Sequence, residues 1–203
     1  MKVILVNGGP HQDGCTNLAL EEVAKTLNNE GIETEIFWVG NNPISGCIGC
    51  NKCLHTNRCI IEDKVNEFLE KAENADGFVF GSPVHFAAAS GALTSFLDRA
   101  FYLKGRLFTR KPCASVVSCR RGGASAAFDQ LNKYALISNM YLVGSSYWNQ
   151  IHGNTKEEAM QDEEGLQTMR NLGKNMAYLL NSIDKAGIEV PEYEKRVRTN
   201  FIR

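Results

Sequence analysis

Val3-Ile-Leu-Val-Asn7, followed at once by Gly8-Gly-Pro-His-Gln-Asp-Gly-Cys-Thr-Asn17, decides the fold. The first part is a short, continuous apolar run, as expected of a strand buried on both faces. The second is a glycine-rich turn. Beyond it Leu20, Val23, Ala24 and Leu27 recur at helical spacing until Gly31 stops them. A two-sided strand that runs straight into a helix opens a parallel sheet.

The same alternation continues along the chain. Thr34–Val39 reads as a second strand, and Val65, Phe68, Leu69 and Ala72 mark a short helix beginning near Asp63. Gly77–Phe80 is the third strand, ending at a rigid turn, Gly81-Ser82-Pro83. Leu93, Phe96, Leu97, Ala100 and Phe101 mark the next helix. Cys113–Cys119 is the fourth strand, and Arg121-Gly-Gly123 opens a helix bearing Phe128, Leu131 and Ala135. Met140–Ser145 is the fifth strand. Met169, Leu172, Met176, Leu179 and Ile183 belong to a long final helix. Strands alternating with helices, none linked as hairpins, predict an α/β fold with a parallel sheet covered on both faces. The expected form is the flavodoxin-like, doubly wound five-stranded sheet of order 2-1-3-4-5, with its ligand at the switch point.

With 203 residues, the expectation is one domain over 1–203, with a cysteine loop at 44–62 and a C-terminal helix and tail at 156–203. No repeat, low-complexity segment or linker interrupts it. The polar stretch Asn149–Glu164 reads as a lid or an oligomer contact. A net charge of −1 gives no electrostatic reason for nucleic acid or an anionic membrane as partner. The basic stretch Glu194–Arg198 reads as a solvated end. Val3–Val6 is too short for a signal-peptide core, and no run approaches a membrane span. Seven cysteines, an odd number, then suggest a reducing cytoplasm, where clustered cysteines mean metal or redox chemistry.

Three loops leave the carboxyl ends of strands. In Gly8–Asn17, Gly9 and its neighbours let the backbone turn, and the following helix points free amides at the turn. Thr16 and Asn17 would add side-chain donors and His11 a charge, which suits a phosphate. The alternative is a helix start capped by Thr16 or Asn17. The spacing departs from G-x-G-x-x-G, and only one turn is phosphate-shaped, so FMN fits better than a dinucleotide such as FAD. In the second loop, the backbone of Ser82, Pro83 and Val84 could meet the pyrimidine edge of a flavin ring, with His85 and Phe86 flanking it. Phe86 as core and His85 as a satisfied polar residue are the alternatives. The third loop, Ser118-Cys119-Arg120-Arg121-Gly122-Gly123, again sets glycines before a helix. Arg120 or Arg121 could face a reduced flavin or a nicotinamide phosphate, or simply solvent.

Cys47, Cys50, Cys53 and Cys59 lie within thirteen residues, close enough for one tetrahedral metal or one iron–sulfur cluster. Cys59 comes six positions after Cys53 and is followed by Ile60, unlike a ferredoxin motif. Zinc sites more often pair two separate Cys-x-x-Cys knuckles, and free thiols or a disulfide remain the plain alternative. Cys113 reads as core. Cys15 and Cys119 lie near the supposed ligand, as packing or as redox contacts.

Together, Gly8–Asn17, Cys47–Cys59, Gly81–Phe86 with Gly91 and Phe96-Leu-Asp-Arg99, and Ser118–Gly123 resemble the NAD(P)H-dependent FMN reductase and iron–sulfur flavoprotein family across nearly the whole chain. In that family the first loop often reads Gly-Ser-Pro-Arg, then Asn-Thr. Here Gly9, His11 and Cys15 replace the serine, arginine and asparagine, so backbone amides, Thr16 and Asn17 must do more. The resemblance implies bound FMN, electrons from NADH or NADPH, and a homodimer or homotetramer whose interface helps enclose the flavin. It also implies one 4Fe–4S cluster on the four cysteines.

Three functions follow. The first is an oxidoreductase passing electrons to a small-molecule acceptor or a protein, with His85 and Arg120 as the candidate catalytic residues. The second is an electron carrier for a ferredoxin-type partner. The third is a non-catalytic module with a zinc-binding cysteine loop.

Overall fold

The computed structural model describes residues 1–195, 197, 199 and 201. Arg196 and Arg198 of the basic tail lie outside them. The elements are β1 (Lys2–Asn7), α1 (Cys15–Asn29), β2 (Glu33–Trp38), α2 (Cys53–Thr56), α3 (Lys64–Ala72), β3 (Gly77–His85) and β4 (Ala88–Ala89). They continue with α4 (Gly91–Phe108), β5 (Pro112–Cys119), α5 (Ala124–Ile137), β6 (Tyr141–Leu142), β7 (Gln150–His152), α6 (Lys156–Ala159) and α7 (Glu163–Ala186).

The strands run β2-β1-β3-β5, all parallel, and β6 and β7 share the fifth position beside β5. This is the expected order, 2-1-3-4-5. Successive strand residues serve opposite faces. Ile4, Val6, Phe78 and Phe80 enter the core under α3, α4 and α5. Val3, Leu5 and Val79 enter the core under α1 and α7. On the first face the Phe68 ring lies 5.1 to 6.3 Å from those of Phe37, Phe78, Phe96 and Phe108.

Three expectations need correction. The third strand does not stop at Phe80: β3 continues through Ser82 and Pro83, which pair with Val117 and Ser118. β1 ends at Asn7 opposite Gly81, so at Pro83 the strand has lost its β1 neighbour, a place where a missing N–H is tolerated. A hairpin does exist, since β4 pairs antiparallel with the end of β3 through a two-residue turn. Both turn residues, Phe86 and Ala87, have positive φ, 50° and 59°, the geometry that suits tight hairpins.

The fifth strand is broken rather than continuous from Met140 to Ser145. Tyr141–Leu142 pairs with the start of β5, and Gln150–His152 with its end. Between them buried Asn149 substitutes for the ladder, its carboxamide donating to the Ser115 carbonyl at 3.0 Å and its own carbonyl accepting from Val117 at 2.9 Å. The stretch Asn149–Glu164 is thus strand, short helix and helix start. Among the described residues, no helix is long and apolar enough to cross a membrane.

Helices α1 and α7 cross at Gly173, where an added Cβ would fall 2.7 Å from the Thr26 Cβ. Gly173→Val should therefore force the helices apart and lower stability by about 1–3 kcal/mol. The denaturant midpoint would show this, with the slope unchanged.

Candidate functional site

The three loops meet at the carboxyl edge of the sheet through three junctions. The Gly8 amide donates to the Gly81 carbonyl at 2.9 Å, which joins the first loop to β3. The hydroxyls of Thr16 and Ser118, both buried, bond at 2.8 Å and join the first loop to β5. Gly123, with φ of 94°, opens α5 against the hairpin, where an added Cβ would fall 2.8 Å from the Ala87 Cα.

Asn7 organises the first loop. Its fully buried carboxamide accepts from the Gly9 amide at 2.9 Å and donates toward the Gln12 carbonyl and Asn17 Oδ1, both at 3.3 Å. The Trp38 indole donates to the Gly9 carbonyl at 2.9 Å. Neither Thr16 nor Asn17 is the helix cap: Gly14 is the N-cap, Thr16 pairs with Ser118, and Asn17 donates to Glu21 at 2.7 Å. Among the described residues no side chain caps the start of α1 or of α5, so amides and dipole at both helix starts stay available to an anion. His11 stands exposed beside the first.

In the second loop, Ser82 is fully buried. It donates to the Pro83 carbonyl and accepts from the Ser90 amide, both at 2.8 Å, tying β3 to the start of α4. Pro83 and Val84 are partly buried; His85 and Phe86 project at the hairpin. Phe86 is fully exposed and is not core. Arg120, Arg121 and Gly122 are exposed, whereas Ser118 and Cys119 are buried at the end of β5. Cys119 Sγ faces His152 Nδ1 at 3.5 Å, and Cys15 Sγ faces the Gly153 carbonyl at 3.7 Å. Burial pushes both thiols up; for Cys119 a backbone N–H of Arg121 partly offsets this. Cys113 is core, as expected, and burial raises its thiol furthest.

The four cysteines of the loop line one pocket, together with Arg99, Tyr102 and Leu103 of α4. Burial, and then Cys50, Cys59 and Cys47, hold the Cys53 thiol above its usual value, so the sulfurs lie near enough to influence one another. Yet among the described residues no three Cys, His, Asp or Glu side chains close on a single ion. A four-iron cluster offers each thiolate a separate corner, and four thiolates lining one pocket suit it.

Two residues fix this pocket that the sequence reading gave no role. Asn66 clamps the Cys59 backbone, accepting from its amide at 3.0 Å and donating to its carbonyl at 2.9 Å. Arg99, only 2% exposed, holds Asp63 through two nitrogens and reaches Cys59. Burial opposes its charge, but Asp63 and then Cys59 outweigh this, and its pKa is raised. The signal for Arg99 was a charge beside Phe96, Leu97 and Ala100 on an apolar helix face. Asn7 was a polar end to a buried strand. Nothing local marked Asn66, Trp38 or His152.

The profile of the NADPH-dependent FMN reductase family matches residues 1–155. The chain belongs to that family. An iron-sulfur flavoprotein of Methanocaldococcus jannaschii is 35% identical over 193 residues, covering 91% of this chain and 100% of the relative. An iron-sulfur flavoprotein of Methanosarcina thermophila is 28% identical over 192 residues, covering 91% of this chain and 98% of the relative. A flavodoxin from the domain Archaea has the same fold, with a TM-score of 0.62 at 14% identity, over 89% of this chain and 99% of that one. Membership of the FMN reductase family implies flavin-based redox chemistry.

Exposure orders the thiols of the protein freed of any bound group. Alkylation of the native protein should reach Cys47 and Cys50 first and Cys113 last. Peptide mass spectrometry over a time course would read the order.

Proposed function

We propose that this protein is an FMN-dependent oxidoreductase that takes electrons from NADH or NADPH. It passes them to a small-molecule or protein acceptor through a 4Fe–4S cluster on Cys47, Cys50, Cys53 and Cys59. The carrying observation is that one helix serves both places. α4 starts at the three-loop edge, where Ser90 meets Ser82, and its later turns supply Arg99, Tyr102 and Leu103 to the four-cysteine pocket. From Ser90 to Arg99 the helix rises about 14 Å.

Bound FMN supplies the exchange between hydride transfer and single-electron transfer. The chain supplies binding and orientation. The uncapped amides of α1 would receive the phosphate, in a cradle that the Thr16–Ser118 pair ties to β5. The hairpin backbone from Pro83 to Phe86 would border the ring. Arg120 and Arg121, just before α5, would offer positive charge to a reduced flavin or a nicotinamide phosphate. His85 and Phe86 stand at the rim, positioned to orient the nicotinamide or the acceptor.

The edge is open to solvent at Phe86. A second copy covering it is the reading that gives a homodimer or homotetramer. One further observation favours a carrier role alongside the reductase: Ile48, Leu54 and Tyr102 leave more than half their surface exposed around the cysteine pocket, an apolar rim suited to a ferredoxin-type partner.

Protein purified without air should show flavin absorption and about four iron and four sulfide per chain. Flavin without iron would leave a plain FMN reductase, and a colourless protein with zinc would support the non-catalytic module. Rapid bleaching by NAD(P)H supports the reductase; bleaching only by a reduced ferredoxin supports the carrier. Gly123→Ala should displace the hairpin from α5 and weaken FMN binding at least tenfold, or about 1.4 kcal/mol. Equilibrium dialysis measures it, with far-UV dichroism reporting the fold.

A further inference from the structure

Among the described residues, Arg99 is the one charged side chain that is buried, and its bonds converge on the cysteine segment. Nη1 donates to Asp63 Oδ2 at 2.5 Å and toward the Ser45 carbonyl at 3.4 Å. Nη2 donates to the Ile61 carbonyl at 2.9 Å, to Asp63 Oδ1 at 3.0 Å and to Cys59 Sγ at 3.2 Å. Nε is buried and has no acceptor among the described residues. The same residue lines the pocket of the four cysteines. One guanidinium thus touches both ends of the cysteine segment, one of its four sulfurs, and a carboxylate that balances its charge.

An ordinary structural salt bridge would explain Asp63. It does not explain the N–H aimed at a sulfur, nor a donor left over in the interior, which native proteins rarely leave without a use. The planar fork is what allows these contacts together. It grips a carboxylate with two nitrogens and still presents protons elsewhere, which an ammonium group cannot reproduce. We propose that Arg99 is a positioning residue for the four-cysteine site. It fixes Cys59 and, against Asp63, sets the reduction potential of the cluster held there.

The inference rests on reading that pocket as a 4Fe–4S site. Reduction adds one electron, drawn from the flavin that NAD(P)H has reduced, and neither breaks nor makes a bond. The added negative charge lies beside a buried cation that donates to a ligand sulfur. Hydrogen bonds and local charge are the levers by which a protein tunes such a cluster, so Arg99 raises the potential. The Asp63 carboxylate cancels part of that field and lowers it. Removing the two residues must therefore move the potential in opposite directions, which general loosening of the loop would not do.

The test is a redox titration of the cluster, followed by electron paramagnetic resonance, on the full chain loaded anaerobically with iron and sulfide. Arg99→Gln should weaken the cluster's electron affinity at least tenfold, a fall of about 59 mV for a one-electron couple. Asp63→Asn, which keeps a side chain able to cap α3, should raise it. Arg99→Lys should restore part of the loss. FMN content and the flavin potential should match the wild type throughout, which reports an intact fold. Should Arg99→Gln fail to fold, Asp63→Asn carries the test alone, and an unchanged or lowered potential in it overturns the inference. Iron bound normally with one potential in all variants overturns the role of Arg99 but not the cluster. A wild-type chain that takes up no iron overturns both.

Discussion

A parallel ladder cannot be closed by a tight turn, so each strand must return to the same end of the sheet through a helix laid across one face. That constraint gathers the carboxyl ends of β1, β3 and β5 along one edge and gives each a helix start or hairpin behind it. The rest of the molecule depends on it. The Gly8–Gly81 bond, the Thr16–Ser118 hydroxyl pair and the approach of Gly123 to Ala87 then lock three loops into a single surface. α4, leaving that surface at Ser90, links it to the cysteine segment.

Labour at the site is divided by burial. Asn7, Thr16, Ser82, Asn66, Arg99, Ser118 and Asn149 are buried and bond other groups of the protein, which shapes the loops. His11, His85, Phe86, Arg120 and Arg121 are exposed and structurally idle by comparison. In a low-dielectric interior each satisfied polar pair is strong and each unsatisfied one costly, so the buried set enforces one geometry. The exposed set is free to respond to whatever binds.

The sheet order and most helices could be read from apolar periodicity, because both cores impose their period on the strands and helices facing them. The start of α3 was legible too, since Asp63 caps it with a bond to the Val65 amide. Pro83 misled because proline usually ends a strand, yet here β3 has already outrun β1. The broken fifth strand was illegible because the Asn149 carboxamide replaces ladder bonds, a substitution without a sequence period. At the site, glycines and cysteines announced where the loops lie. The contacts that hold them, Trp38 to Gly9, His152 to Cys119 and Arg99 to Cys59, join residues 29 to 40 positions apart. They exist only after the chain has folded.

The clamp on the cysteine segment has a consequence for assembly. In small zinc domains the metal closes the loop, so binding and folding are one event and chelation unfolds the chain. Here Arg99 and Asn66 hold the segment with bonds internal to the protein, so part of the entropy of ordering it is offset by the fold itself rather than by whatever the thiols hold.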